Sequence, residues 1–166
     1  MAFQPVENYV VEQAIADTST TKKHALGEIV KAVDSTYGMG EFIYLLGVAS
    51  TEVGSLVKYN ATTYLTVLAT NTTVQNVPVA VAMSANVASQ YGWYQISGNA
   101  VVKKTGVAVT PQVNLFLSAT AGRVKVAASA GLQVCAARSA NLTTIVTTTS
   151  TVVVTINRPH LQSQIT

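Results

Sequence analysis

The chain has 166 residues and a mass of 17.4 kDa; 49% of it is hydrophobic, only 10% is charged, and the formal net charge is +3 with a pI near 9.1. That length fits one domain with its own core, and the charged fraction lies far below the roughly 25% of an average soluble domain. Cys135 is the only cysteine, which excludes an internal disulfide and a cysteine metal cluster, and the apolar runs, such as Phe42 to Val48, fall short of the ~20 residues of a spanning helix.

Residues 1 to 40 read as an extended arm. The start, Met1-Ala2-Phe3-Gln4, lacks the pattern of a secretory signal, so the glycosylation-type triplets at Asn60, Asn71 and Asn141 carry little weight. Two turn-like clusters, Asp17 to Lys23 and Asp34 to Gly40, flank a short apolar run from Gly27 to Val33. Tyr9-Val10-Val11 and Ile29-Val30 are β-branched and show no helical period, which predicts one or two short strands.

From Glu41 onward strand signals recur between Gly, Asn, Pro and Ser. Phe42 to Leu46 is a fully buried run. Leu56 to Tyr59 and Thr62 to Leu68 read as a hairpin around Asn60-Ala61. Pro78 demotes the run Val77 to Val81 to an edge or bulged strand. Tyr94, Ile96, Ala100 and Val102 alternate with polar residues and give one apolar face. Val113 to Leu117, Arg123 to Val126, Gln133 to Arg138 and Val152 to Ile156 follow as strands. Residues 82 to 90 are long enough for one helical turn at most. The Thr-rich tract from Thr143 to Thr151 favours strand, with Thr147 to Thr151 as a loop tip. Eight or more short strands without a long helix predict an all-β, jelly-roll-like barrel or sandwich (41–166) carrying an N-terminal arm (1–40).

The charges divide along the same line. Glu7, Glu12, Asp17, Glu28, Asp34, Glu41 and Glu52 face only Lys22, Lys23 and Lys31 in the first 52 residues. After Glu52 the basic residues are Lys58, Lys103, Lys104, Arg123, Lys125, Arg138 and Arg158, and no acid occurs. Acid–base and metal chemistry needs carboxylates held in a formed pocket, and two-thirds of the chain has none to offer. His24 and His160 stand near no Gly-x-Ser-x-Gly elbow. Cys135 has no electropositive setting, and Gly38-Met39-Gly40 reads as a turn rather than a phosphate loop. The chain is therefore expected to be no enzyme and to use neither cofactor nor metal. Seven dispersed cations, only two of them adjacent, also argue against specific nucleic-acid binding.

Tyr91, Trp93 and Tyr94 form the one aromatic cluster. Trp93 and Tyr94 point to opposite faces of a strand, so one enters the core and the other covers a neighbouring subunit or closes a packing corner. The apolar excess as a whole is read as core plus subunit contact.

Several segments carry a family resemblance: Leu26 to Asp34, Gly40 to Ala49, Val79 to Ser84, Tyr91 to Val102 with its Gly92-Trp93-x-Gln95-x-x-Gly98 pattern, and the closing Ile156-Asn157-Arg158-Pro159-His160. Together they resemble small structural proteins of tailed-bacteriophage heads, the capsid cement or head-decoration proteins. The resemblance implies a β-rich homodimer or homotrimer on the exterior of the virion capsid, made in the host cytoplasm, whose partner is the major capsid protein. It implies no catalytic residue and no membrane. On this reading Tyr91, Trp93, Tyr94, Lys103, Arg123, Lys125 and Arg158 are the interface candidates, and the acids missing from the body come from a neighbour. The alternative is a receptor- or carbohydrate-binding β-module at the base of a head fibre or spike.

Overall fold

A computed structural model of the chain describes residues 4–5, 12–72 and 75–163. Tyr9-Val10-Val11, read as a strand, lies outside them. The described residues form β1 (Gln4–Pro5), β2 (Thr18–Ser19), β3 (Ile29–Asp34), β4 (Gly38–Leu46), β5 (Leu56–Tyr59), β6 (Thr66–Leu68), β7 (Val79–Ala82), β8 (Tyr91–Lys103), β9 (Asn114–Leu117), β10 (Val124–Lys125), β11 (Gln133–Ser139) and β12 (Thr151–Leu161). The expected all-β class is what they build. No helix occurs among the described residues, and every pairing between these strands is antiparallel. The sheet curls into a half-barrel, compatible with a barrel or a sandwich.

The long strand β8 is the hub. One edge takes β4 along Tyr91–Ser97; the other takes β2 at Tyr91–Gly92, β7 at Tyr94–Gln95 and β12 at Ser97–Lys103. There the sheet forks into the branches β12-β11-β9-β10 and β7-β5-β6. The fork needs an irregular backbone. Glu41 pairs with Ser97 and Phe42 with Gln95, so Ile96 is the extra residue of a bulge. Gln95, fully buried, steadies it by donating from Nε2 to Ser97 O (3.0 Å) and Asn99 O (3.1 Å). Gly98 follows at φ 96°, where a β-carbon would lie 2.3 Å from Met39 O, so only glycine fits.

The fork explains why the alternation of apolar and polar residues fails in places. β7 is buried on both faces: Val79 and Val81 join Leu56, Val102, Leu115 and Val154 in the largest cluster, while Ala80 and Ala82 join Ile43, Leu45 and Tyr94 in a second. Each large aliphatic side chain so buried contributes about 1.5–3 kcal/mol. A third cluster packs Val30, Phe42, Tyr44 and Trp93 beneath Ile15.

The structure bears on four local expectations. β7 is not an edge, because it lies between β5 and β8; it begins after Pro78, whose missing N–H is harmless outside the ladder. The boundary drawn at residue 40 falls inside β4, and Gln13, Ile15, His24, Val30 and Ala32 are buried, so the described part of residues 12–40 packs on the body rather than extending from it. Residues 83–90 form bends and turns without a helical turn. The Thr-rich tract is a loop pinned by a bridge between Val109 and Ile145, and strand resumes only at Thr151. The turn after β3 does form as expected: Asp34 Oδ1 accepts from Thr36 N (2.8 Å) and Tyr37 N (3.0 Å).

Candidate functional site

The seven interface candidates do not form one patch. Trp93 and Tyr94 are both fully buried, on opposite faces of β8. The expectation that one of them reaches a neighbour fails because both faces of this stretch are covered, one by the N-terminal segment and the other by β5 and β7. Trp93 donates from Nε1 to Gln13 O at 2.9 Å, and the Tyr44 hydroxyl donates to Gln13 Oε1 at 2.6 Å. Gln13 Nε2 in turn reaches Tyr91 O and Asp17 O, both at 2.9 Å. The His24 ring lies 4.9 Å from Trp93 and 5.2 Å from Tyr44 between centroids, with Nδ1 3.1 Å from Glu28 Oε1. Tyr91, half-buried, stacks on Tyr44 at 6.3 Å. On the other face Tyr94 accepts a hydrogen bond from Asn86 Nδ2 (3.0 Å), and burial pushes its phenol up to about 12 against the opposing pull of its hydrogen bonds. The aromatic cluster is core.

The basic candidates separate into three places. Lys103 and Arg123 share a shallow depression with Glu52, which pairs with the Lys103 ammonium. Arg158 donates from Nη2 to Glu41 Oε2 at 2.9 Å. Lys125 sits apart on β10, paired in register with Phe116. Two of the acids in the N-terminal third are thus committed to the basic body within one chain, so the neighbour invoked to supply missing acids has fewer cations left to meet. Lys104, outside the candidates, is buried. Its Nζ donates to Thr105 O (3.3 Å), Val107 O (2.8 Å) and Val146 O (3.1 Å), tying two loops together, and burial pushes its ammonium below the usual lysine range.

The feature that sequence reading missed is a pair of exposed apolar side chains, Leu65 just before β6 and Val67 within it. Leu65 and Val67 are 49% and 50% exposed, whereas Thr66 between them is 5% exposed and donates from Oγ1 to Leu46 O at 2.7 Å. Leu68, on the same face as Thr66, packs inward on the cluster of Ile43, Leu45 and Tyr94, so this short strand carries apolar side chains on both faces. Just before it Leu65 bridges in parallel to Leu46 of β4, and β6 itself pairs with β5 and no other strand among those described. Its exposed residues line a groove of about 280 Å³ together with Lys58, Tyr59, Gln75 and Val77. The alternation Leu65-Thr66-Val67 was the available signal, but alternation does not reveal which side faces in.

Among the described residues no group of three or more His, Cys, Asp or Glu side chains is placed to hold a metal ion. Compared with protein-family models, curated proteins and solved structures, the chain matches none, and what can be said of its function rests on its own residues.

Proposed function

We propose that the chain is a non-enzymatic structural protein that binds the outside of a phage capsid, as a homo-oligomer, and stabilises it by clamping adjacent major capsid subunits. The observation that carries the reading is the exposed apolar pair Leu65 and Val67 beside the short strand β6. Past the bridge between Leu65 and Leu46 the outer edge of β6 pairs with no described strand; such an edge can receive an extended segment of another chain, and natural proteins ordinarily blunt it with charge or proline. Here the side chains beside that edge are Leu65 and Val67, and the one charged residue lining the groove is Lys58. An extended capsid segment adding to β6 would gain main-chain hydrogen bonds and cover both apolar residues. The charge-poor composition fits a surface meant to be covered, and modest contacts repeated over a shell sum through multivalency.

The test is co-expression with the major capsid protein of the same genome, followed by sedimentation of the shells. The double substitution Leu65→Lys/Val67→Lys should leave the thermal midpoint within a few degrees of wild type, since both residues are surface positions. It should reduce occupancy on the shell about tenfold or more. Wild-type protein that stays in the supernatant sinks the capsid reading; undiminished occupancy of the variant sinks the role of β6.

A further inference from the structure

We infer that a depression on the outer face of the β12-β11-β9 branch binds a carboxylate-bearing monosaccharide unit, with Arg138 taking the carboxylate. This goes beyond the capsid reading and does not depend on it, since the depression lies on the other branch of the sheet from β6.

The site is made by a double irregularity. β11 shifts register against β12 between Cys135 and Ala137, and against β9 between Val134 and Arg138. At the first shift the three residues Asn157, Arg158 and Pro159 of β12 stand opposite the single residue Ala136 of β11. Ala136 and Arg158 adopt φ of 56° and 49°, a left-handed conformation that non-glycine residues hold only when their surroundings enforce it. Bulges of this kind re-aim side chains and are common beside binding sites. The result is a depression of about 360 Å³, lined on its polar side by Asn114, Gln133, Arg138, Thr155 and Asn157.

Register brings the polar groups together. Arg138 pairs with Asn114 on β9 and with Thr155 on β12, so the three stand in one row across three strands. Thr155 continues the row to Asn99 through a 2.8 Å hydrogen bond. Among the described residues Arg138 forms no ion pair, and the side chains of Asn114, Gln133 and Asn157 make no hydrogen bond to protein. The lining is one guanidinium, three carboxamides and one hydroxyl, with no carboxylate.

That set selects a ligand class. A guanidinium fork matches a carboxylate with two parallel hydrogen bonds. Carboxamides both donate and accept, as ring hydroxyls require. Ala136 is the exposed apolar residue of the lining and offers its methyl group to the C–H face of a ring, while Ala137 and Ile156 belong to the core beneath. The volume lies at the small end of ligand pockets, about 300–1,000 Å³, and suits one ring. A neutral sugar would leave Arg138 without a counter-charge, and a bare inorganic anion would accept from the carboxamide N–H groups but leave their oxygens without a donor. The absence of acids in the body, which argues against a site for neutral sugars, favours an acidic one.

The experiment titrates the full chain with glucuronic acid, glucose and sulfate by isothermal calorimetry at low ionic strength. Glucuronic acid should bind with a dissociation constant of about millimolar, and glucose and sulfate about tenfold or more weaker. Arg138→Gln should remove glucuronic acid binding while leaving the thermal midpoint unchanged, and Arg138→Lys should restore part of it. Gln133→Ala, which spares the charge, should weaken binding several-fold and keeps the test decisive if the Arg138 variant fails to fold. The proposal is overturned if neither sugar binds, if glucose or sulfate matches glucuronic acid, or if Arg138→Gln and Gln133→Ala both bind as wild type does.

Discussion

The two halves of β8 are stabilised differently. At its N-terminal half Trp93 and Tyr44 lie under the segment carrying Gln13 and Ile15, and every polar handle of these aromatics has a named partner. At its C-terminal half Ala100 and Val102 meet Val152, Val154 and Leu115, and the contact is aliphatic. An aliphatic core needs volume and register and tolerates repacking. An aromatic core with buried N–H and O–H groups also needs each partner in place, because an orphaned buried polar group costs about 1–3 kcal/mol. The N-terminal third therefore belongs to the core of the aromatic half, and its acids serve as much inside the chain as towards a partner.

The largest expected effect breaks that comparison most directly. Removing residues 1–24 takes away Ile15, His24 and the three bonds of Gln13, and leaves the Trp93 N–H without its acceptor. Burial of Ile15 and the orphaned groups together predict a loss of roughly 4 kcal/mol or more, read by urea unfolding. Hydrogen exchange should rise first around Val30 to Leu46 and last around Val152 to Ile156. A truncated chain as stable as the full one would show that the roof is dispensable.

Alkaline titration gives a mid-sized effect. The Tyr94 phenol is raised to about 12 by burial, so the fold disfavours its tyrosinate. The stabilisation is complete below about pH 10, where the unfolded phenol is still protonated, and drains away as pH rises through about 12. The slope from this group reaches at most about 1.4 kcal/mol per pH unit. Tyr94→Phe should be less stable at neutral pH, having left Asn86 Nδ2 short of a partner, yet lose less stability between pH 10 and 12. An unchanged alkaline slope would mean that Tyr94 is not buried as described. Tyr44 and Tyr59 are also raised, chiefly by burial, and add to the slope.

The smallest effect concerns the seam between the acidic third and the basic body. A double-mutant cycle on Glu41→Gln and Arg158→Ala should return a coupling of about 0.2–1 kcal/mol that shrinks with salt, since the Arg158 side chain is 60% exposed. A coupling of several kcal/mol would make the seam a principal tie between the two regions.

Local chemistry made much of the fold legible. β-branched runs bounded by turn residues located β4, β5, β8, β11 and β12, and Asp34 with Gly38 marked the turn between β3 and β4. The hairpin of Leu56–Tyr59 with Thr66–Leu68 was readable from its Asn60-centred turn, where Asn60 Oδ1 accepts from Thr62 N at 2.8 Å. The candidate sites were harder. Trp93 and Tyr94 looked like a surface anchor because alternation predicts one outward face, whereas the fork at Gly98 covers both. Nothing in the sequence sets Arg138 apart from the other dispersed cations, because Asn114 and Thr155, its neighbours in register, lie 24 and 17 residues away.

By itself, then, the sequence determined the all-β class, the positions of most strands and turns, and the absence of carboxylates from everything after Glu52. Those follow from interactions between residues one to four apart and from composition. Only the tertiary structure decided that Gln13 and Ile15 roof the aromatic core, that Glu41 and Glu52 answer Arg158 and Lys103, that Leu65 and Val67 face outward beside β6, and that a bulge gathers Arg138 with three carboxamides. The physical reason is common to all four. Which face of a strand is covered, and which residues stand side by side, is set by pairings between distant segments, and a period of two is the same whichever face turns inward.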